Sequence, residues 1–236
     1  MLRDFRDPLF VGPGAPFLAE LRDGPATLAC EHEAWLTAGV ACAPDALPFA
    51  DERFDLVVSL MSLHVVDDLP RALFEARRVL RPDGFFLALF PGERTLHELR
   101  AALRQGEAMA TGGLSPRVSP MVAVRDAGGL LQRAGFALPV ADTVSVPVTY
   151  RDPRRLLSDL RAMGEANASA AGPRGAMRRD VLAASLAAYG TTAREGRVTA
   201  SFDLVALAGW APDASQPKPL RPGSATASLA DAVRNA

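Results

Sequence analysis

Apolar residues in this chain fall into short continuous runs separated by stripes at helical spacing. Leu9-Phe10-Val11 is one such run and ends in Gly12-Pro13-Gly14. Phe17, Leu18 and Leu21 follow at helical spacing until Asp23-Gly24-Pro25 interrupts them. Ala26 to Cys30 is a second run, closed by Glu31, and Val40-Ala41-Cys42 reads as a third strand. Ala34, Trp35 and Leu36 allow a short helix between these two strands, stopping near Gly39. The first 45 residues therefore read as β-α-β-α-β with short connections.

Phe54 to Leu60 is almost uninterruptedly apolar and predicts a strand buried on both faces. Over residues 68–80, Leu69, Ala72, Leu73, Ala76, Val79 and Leu80 form one helical stripe. Arg77, Arg78 and Arg81 complement the negative end of that helix and read as its solvated end. Pro82-Asp83-Gly84 predicts a turn and Phe85 to Phe90 another strand. Strand, helix, strand with this pattern is a βαβ unit and argues for a parallel sheet.

Further on, helices are predicted over 96–103 and 124–134, the second stopped by Gly135, with a loop marked by Gly112, Gly113, Pro116 and Pro120 between them. An alternating strand over 140–150 precedes Ala-rich helices over 153–163 and 176–189, and Val198 to Trp210 is a last long strand. The reading is one α/β domain over 1–211 and a mostly irregular tail over 212–236.

Composition narrows the function classes. The chain has 236 residues, 49% of them hydrophobic, enough for a sizeable core. Lys plus Arg number 26 against 27 Asp plus Glu, which gives no global electrostatic reason to expect nucleic acid as a partner. No uncharged apolar run reaches about 18 residues, so no membrane span is expected. The two cysteines, Cys30 and Cys42, make neither a disulfide framework nor a CxxC site. Reduced thiols, together with four charges and no apolar stretch in Met1 to Pro8, predict a cytoplasmic protein without a secretory signal. No His, Asp or Glu cluster has metal-ligand spacing, so no metal is expected.

Two segments carry a family resemblance. Ala46-Leu47-Pro48-Phe49-Ala50-Asp51-Glu52-Arg53-Phe54-Asp55-Leu56-Val57-Val58 and Arg77-Arg78-Val79-Leu80-Arg81-Pro82-Asp83-Gly84 resemble, in order and spacing, the class I S-adenosylmethionine (SAM) methyltransferases of the type 11 group. The resemblance implies a Rossmann-like fold, a mostly parallel seven-stranded sheet with helices on both faces. A narrower set covers roughly residues 43 to 232: Ser62-Leu63-His64 with Asp68-Leu69-Pro70, Thr95 to Arg100, Gly112 to Val118, Trp210-Ala211-Pro212 and Lys218 to Ser224. It is similar to a methyltransferase-like subfamily for assembly of respiratory complex I, whose mitochondrial member is described as a hydroxylase of an arginine on a complex I subunit. Such a subunit is the implied protein partner. The N-terminal part is only loosely similar and lacks the helical lead-in that the resemblance leads one to expect.

In that family SAM lies at the carboxyl ends of the first strands. Gly12 and Gly14 match two glycines of the first motif, where backbone must approach the ligand closely, although Gly-Pro-Gly also suits a plain strand-to-helix turn. Phe10 replaces the family's acid and Pro16 its third glycine; Phe cannot accept a hydrogen bond and Pro removes a donor. Glu31 stands where a ribose-binding acid is required, or is an exposed acid at a helix start. The adenine-binding Asp position falls on Ala43, with Asp45 two residues later, and Ser59 at the end of the fourth strand completes the candidate cofactor set. His64, just past that strand, is a candidate catalytic base or substrate contact, or else caps the strand end. His97 reads as a helix-surface residue.

Three functions remain open: a SAM-dependent methyltransferase with a degenerate cofactor motif, a methyltransferase-fold complex I assembly factor or protein-arginine hydroxylase, and a catalytically silent binding or scaffold protein.

Overall fold

The computed structural model describes residues 4–32, 38–115, 117, 118, 121–165 and 176–217. The helix expected over Ala34-Trp35-Leu36, the loop prolines Pro116 and Pro120, and the tail from residue 218 lie outside the described residues.

Seven strands form one sheet: β1 (Pro8–Val11), β2 (Thr27–Cys30), β3 (Val40–Ala41), β4 (Phe54–Leu60), β5 (Leu80–Pro91), β6 (Ala137–Tyr150) and β7 (Val198–Trp210). Their order is β3-β2-β1-β4-β5-β7-β6. The first five run parallel, and β7 enters antiparallel between β5 and β6. Strand order reverses at β1 and β4, and in open α/β sheets the crevice beyond the carboxyl ends at such a reversal is where ligands sit.

Six helices connect the strands: α1 (Ala15–Glu20), α2 (Leu69–Arg78), α3 (His97–Thr111), α4 (Val124–Arg133), α5 (Pro153–Ala162) and α6 (Arg179–Gly190). Asp68 starts α2 by accepting from the Arg71 N–H at 3.0 Å, and Pro at the first turn costs no hydrogen bond there. α3 runs well past the expected 96–103, because its Ala-rich sequence continues helical until Gly112 at φ 70 stops it. The Pro82-Asp83-Gly84 turn is instead a bulge inside β5. Phe54 pairs with Leu80 and Leu56 with Phe85, and Asp83 at φ 59 lets the intervening residues loop out.

One face of the sheet is sealed by α2 and α4. Leu9, Val57, Phe86, Ala88, Phe90, Val205 and Leu207 on that face pack with Leu73, Ala76, Ala127 and Leu131 into the main core. Among the described residues, the opposite face is covered only in part. Phe10 is buried beside α1, whose crossover joins β1 to β2, whereas Leu56, Val58 and Leu60 of β4 stay partly exposed. The expectation that β4 is buried on both faces is therefore corrected. A second core lies at the carboxyl end of the sheet, where α3, α5 and α6 gather around Leu103, Leu156, Tyr189 and Ala200.

The arginines after α2 are not simply its solvated end. Arg78 bonds Glu75 at 2.8 Å, Asp51 at 2.6 Å, and the carbonyl oxygens of Leu47 and Phe49. Glu75 in turn accepts from the Leu47 N–H at 3.2 Å. The two segments that carry the family resemblance are thus stitched together by one guanidinium, whose pKa these carboxylates raise further.

Candidate functional site

At the carboxyl ends of β1, β2 and β4 the chain turns at Gly12 with φ 100. A Cβ there would stand 2.6 Å from the Leu60 carbonyl oxygen and 2.7 Å from Ser62 Cβ, so only glycine fits. The Ser59 and Ser62 hydroxyls meet at 2.6 Å, both buried, and support the loop from below. The loop's amides are already used. Gly12 N–H donates to Ala29, Gly14 N–H to Leu60 and Ala15 N–H to Gly12, and Pro13 and Pro16 have none to give. Glu31 is exposed at the end of β2. Ala43 and Asp45 are half-buried in the turn after β3, where the Asp45 carbonyl oxygen accepts from Arg71 Nε at 2.8 Å. Cys42 is a free thiol whose pKa burial pushes up to about 11.

Past β4, His64 lies on a separate feature, a cavity of about 920 Å³ bounded by α3, α5 and the ends of β4, β5 and β7. Leu96, Leu99, Met121, Leu160, Met177 and Phe202 make most of its wall apolar. The His64 side chain is 3% exposed, and its Nε2 meets both oxygens of Glu165 at 3.0 and 3.1 Å. The carboxylate oxygens of Glu165 accept from Nε2, and Nδ1 is buried with no hydrogen-bond partner among the described residues. Glu165 is aimed by the end of α5. Gly164 at φ 80 donates to Arg161 and Glu165 N–H donates to Leu160, a Schellman stop that turns the chain toward His64.

The far wall is set by Glu107 of α3. Its carboxylate accepts from Ser115 N–H at 2.9 Å, the Ser115 hydroxyl at 2.5 Å and Arg117 Nη2 at 2.5 Å. Arg117, foremost, and Ser115 hold the Glu107 pKa down at about 2. This clamp folds the segment after Gly112-Gly113 onto α3 and lays Arg117 and Val118 against the cavity. His97, by contrast, is exposed and bonds only locally, with Nδ1 3.0 Å from the Arg94 carbonyl oxygen. The Trp210 ring packs tilted against Phe85 with centroids 4.6 Å apart and does not line the cavity. No group of three metal-ligating side chains occurs among the described residues, and no helix there is long and apolar enough to cross a membrane.

Strand order, the glycine turn after β1 and the cavity beyond β4 define a class, and the comparisons agree. A family model described as a methyltransferase domain matches residues 25–88. A protein of Bacillus halodurans, described as a candidate methyltransferase, superposes with a TM-score of 0.57 at 15% identity, covering 90% of this chain and 94% of that one, which shows the fold. The chain belongs to the class I SAM methyltransferase-type family. Within it, the chain is 40% identical over 200 residues to the mitochondrial arginine-hydroxylase NDUFAF5 of Rattus norvegicus, across 84% of this chain and 58% of that protein. It is also 39% identical over 167 residues to a malonyl-[acyl-carrier protein] O-methyltransferase of Halorhodospira halophila, across 70% of this chain and 55% of that protein. The chain thus spans less than two thirds of the length of these relatives. The cytoplasmic location expected from the sequence is overturned here, because the relatives of that arginine-hydroxylase group are mitochondrial proteins.

Membership implies the SAM-binding class, and the residues fit that ligand unequally. A nucleoside half would meet an exposed carboxylate, Glu31, beyond β2. An amino-acid half would meet no free amide donor at Gly12, Gly14 or Ala15, since all three are committed within the protein. Sequence reasoning missed Glu165, Glu107 and Arg117. A Gly-Glu pair behind a helix was the available sign of the first.

Proposed function

We propose that this chain is a methyltransferase-fold factor of the complex I assembly type, and that its cavity receives an arginine side chain of a protein partner. The observation that carries this is the Glu165 carboxylate, held at the cavity wall by His64 and aimed there by the α5 stop. A guanidinium needs a planar carboxylate partner, and its methylene stem needs an apolar wall such as Leu96, Leu99 and Phe202. His64 then fixes the carboxylate's orientation, and Asp67 at the same cavity adds a second negative charge. The name of the 40%-identical relatives, arginine-hydroxylase, supports the same choice of side chain. The proposal assigns binding and orientation of the side chain and no oxygen-transfer step.

The test is calorimetric titration of the chain and of its Glu165→Gln variant with arginine-containing peptides of complex I subunits, the same peptides with citrulline in place of arginine serving as controls. Saturable binding by the wild type, weakened about tenfold or more by the substitution and by citrulline, is expected. No arginine-dependent binding by the wild type overturns the reading.

A second reading, methyl transfer from SAM, is favoured by the Gly12 turn and by the O-methyltransferase relative. SAM would contact Gly12, Gly14, Glu31, Ala43, Asp45 and Ser59. Melting-temperature titration with SAM and S-adenosylhomocysteine tests it, and no shift at millimolar ligand rules it out.

A further inference from the structure

Methionine is placed unevenly in this chain. Of its six methionines, four (Met61, Met121, Met163 and Met177) line the cavity that holds Glu165. Among the described residues, no methionine is one of the buried side chains of either core, where Leu, Val, Ala and Phe fill the interior. A core that must pack in one way takes side chains with well-defined rotamers, whereas the unbranched thioether re-packs against whatever it meets. A wall of methionines therefore suits a guest whose shape varies. Met61 stands there at φ 56, a left-handed backbone that a non-glycine residue keeps only where its surroundings impose it. Its N–H donates to the Leu89 carbonyl oxygen at 2.8 Å and holds the chain in that turn.

The cavity is also larger than an arginine needs. Its volume of about 920 Å³ lies near the top of the range that encloses drug-sized ligands. An arginine side chain, three methylenes and a guanidinium, leaves most of it unfilled. The rest of the wall has few polar groups to offer. Thr95 Oγ1 already donates to the Asp203 carbonyl oxygen, and Arg117 to Glu107. Apart from His64, Asp67, Glu165 and the exposed Arg161, a guest meets mainly apolar side chains. We propose that the cavity takes, beside the arginine, the bulky apolar side chain of a residue next to it in the partner chain, and that the methionines let this residue vary among large apolar types. The segment recognised is thus an arginine flanked by apolar residues. The inference rests on the arginine reading only for the group that meets Glu165.

Calorimetric titration of the chain with short synthetic peptides tests this. The central residue is arginine or citrulline, and its neighbours are leucine, methionine, phenylalanine or serine. The three apolar flanks are expected to bind roughly tenfold or more tighter than serine, and at similar strength to one another. Met121→Ser, a substitution outside both cores, is expected to lose most of that preference and to keep the difference between arginine and citrulline. Circular dichroism checks that this variant folds, and the peptide series on the wild type stands without it. Equal binding of apolar and serine flanks, or a gain for only one of the three apolar residues, overturns the inference. A flank preference shared equally by arginine and citrulline peptides supports it and removes the arginine reading. Arginine dependence without a flank preference does the reverse, and no binding by any peptide overturns both.

Discussion

His64 Nε2 lies 3.0 Å from Oε2 of Glu165, a pairing that spans 101 residues of chain. It ties the end of β4, at the centre of the sheet, to the stop of α5, in the segment between β6 and β7. Losing the carboxylate leaves a buried imidazole N–H without an acceptor. Glu165→Ala is therefore expected to cost about 1–2 kcal/mol, a fall in melting temperature of roughly 3–6 °C. Glu165→Gln retains an acceptor oxygen and should lose less. Thermal denaturation of the three proteins checks this, and identical melting contradicts the assigned role.

The committed amides of the Gly12 loop lead to an unusual ligand order. SAM and adenosine should raise the melting temperature by similar amounts, because the amino-acid half gains little. Ligand at about 100 times its dissociation constant stabilises by roughly 2.7 kcal/mol. Glu31→Ala should abolish both shifts. A SAM shift far above that of adenosine would show that the loop rearranges to bind the amino-acid half.

Glu107 makes stability depend on pH. Its carboxyl is held at about 2, below the ordinary 4.5, chiefly by the Arg117 hydrogen bond. A depressed acid stabilises the fold fully above its ordinary pKa, and that stabilisation disappears as pH falls from about 4.5 toward 2. Urea unfolding at pH 6 and pH 3 should show the loss in the wild type and a flatter profile in Glu107→Gln. At pH 7 the variant should be less stable by roughly 3 kcal/mol, because the buried Arg117 loses its counter-charge. Profiles of equal slope would remove Glu107 as the cause.

Gly106 marks the closest approach of α3 and α6. A Cβ there would press into the backbone and hydroxyl of Ser185. Gly106→Ala should thus destabilise by about 2–3 kcal/mol, against the roughly 1 kcal/mol of stabilisation that Ala brings to an exposed helix site. Urea denaturation midpoints give the sign directly.

Much of the fold could be read along the chain. The apolar runs at Phe54 to Leu60 and Val198 to Trp210 coincide with β4 and β7, and Gly135 does end a helix. What escaped has a common physical cause. A Pro-Asp-Gly sequence bends the chain equally well in a turn or a bulge, and only the register with β4 decides. An apolar run shows that a strand is buried but not on how many sides. Arg78 reads as a solvated charge because its partners, Leu47, Phe49 and Asp51, reach it only in the folded chain. At the site, the glycines announced themselves by spacing, whereas a single glutamate in an Ala- and Gly-rich stretch carries no local mark of its histidine.

The cavity draws Leu157, Leu160, Arg161, Met163, Glu165, Met177 and Leu182 from the segment between β6 and β7, while the glycine turn and Glu31 come from the first strands. The β6–β7 ladder continues in unbroken register from Val140–Ala208 to Tyr150–Val198, so its two ends are anchored in the sheet whatever lies between them. Such an arrangement separates heritable change in what the cavity accepts from change in the nucleoside end. A descendant could exchange residues 151–197 as one cassette and acquire a new guest without redesigning the strands beneath it.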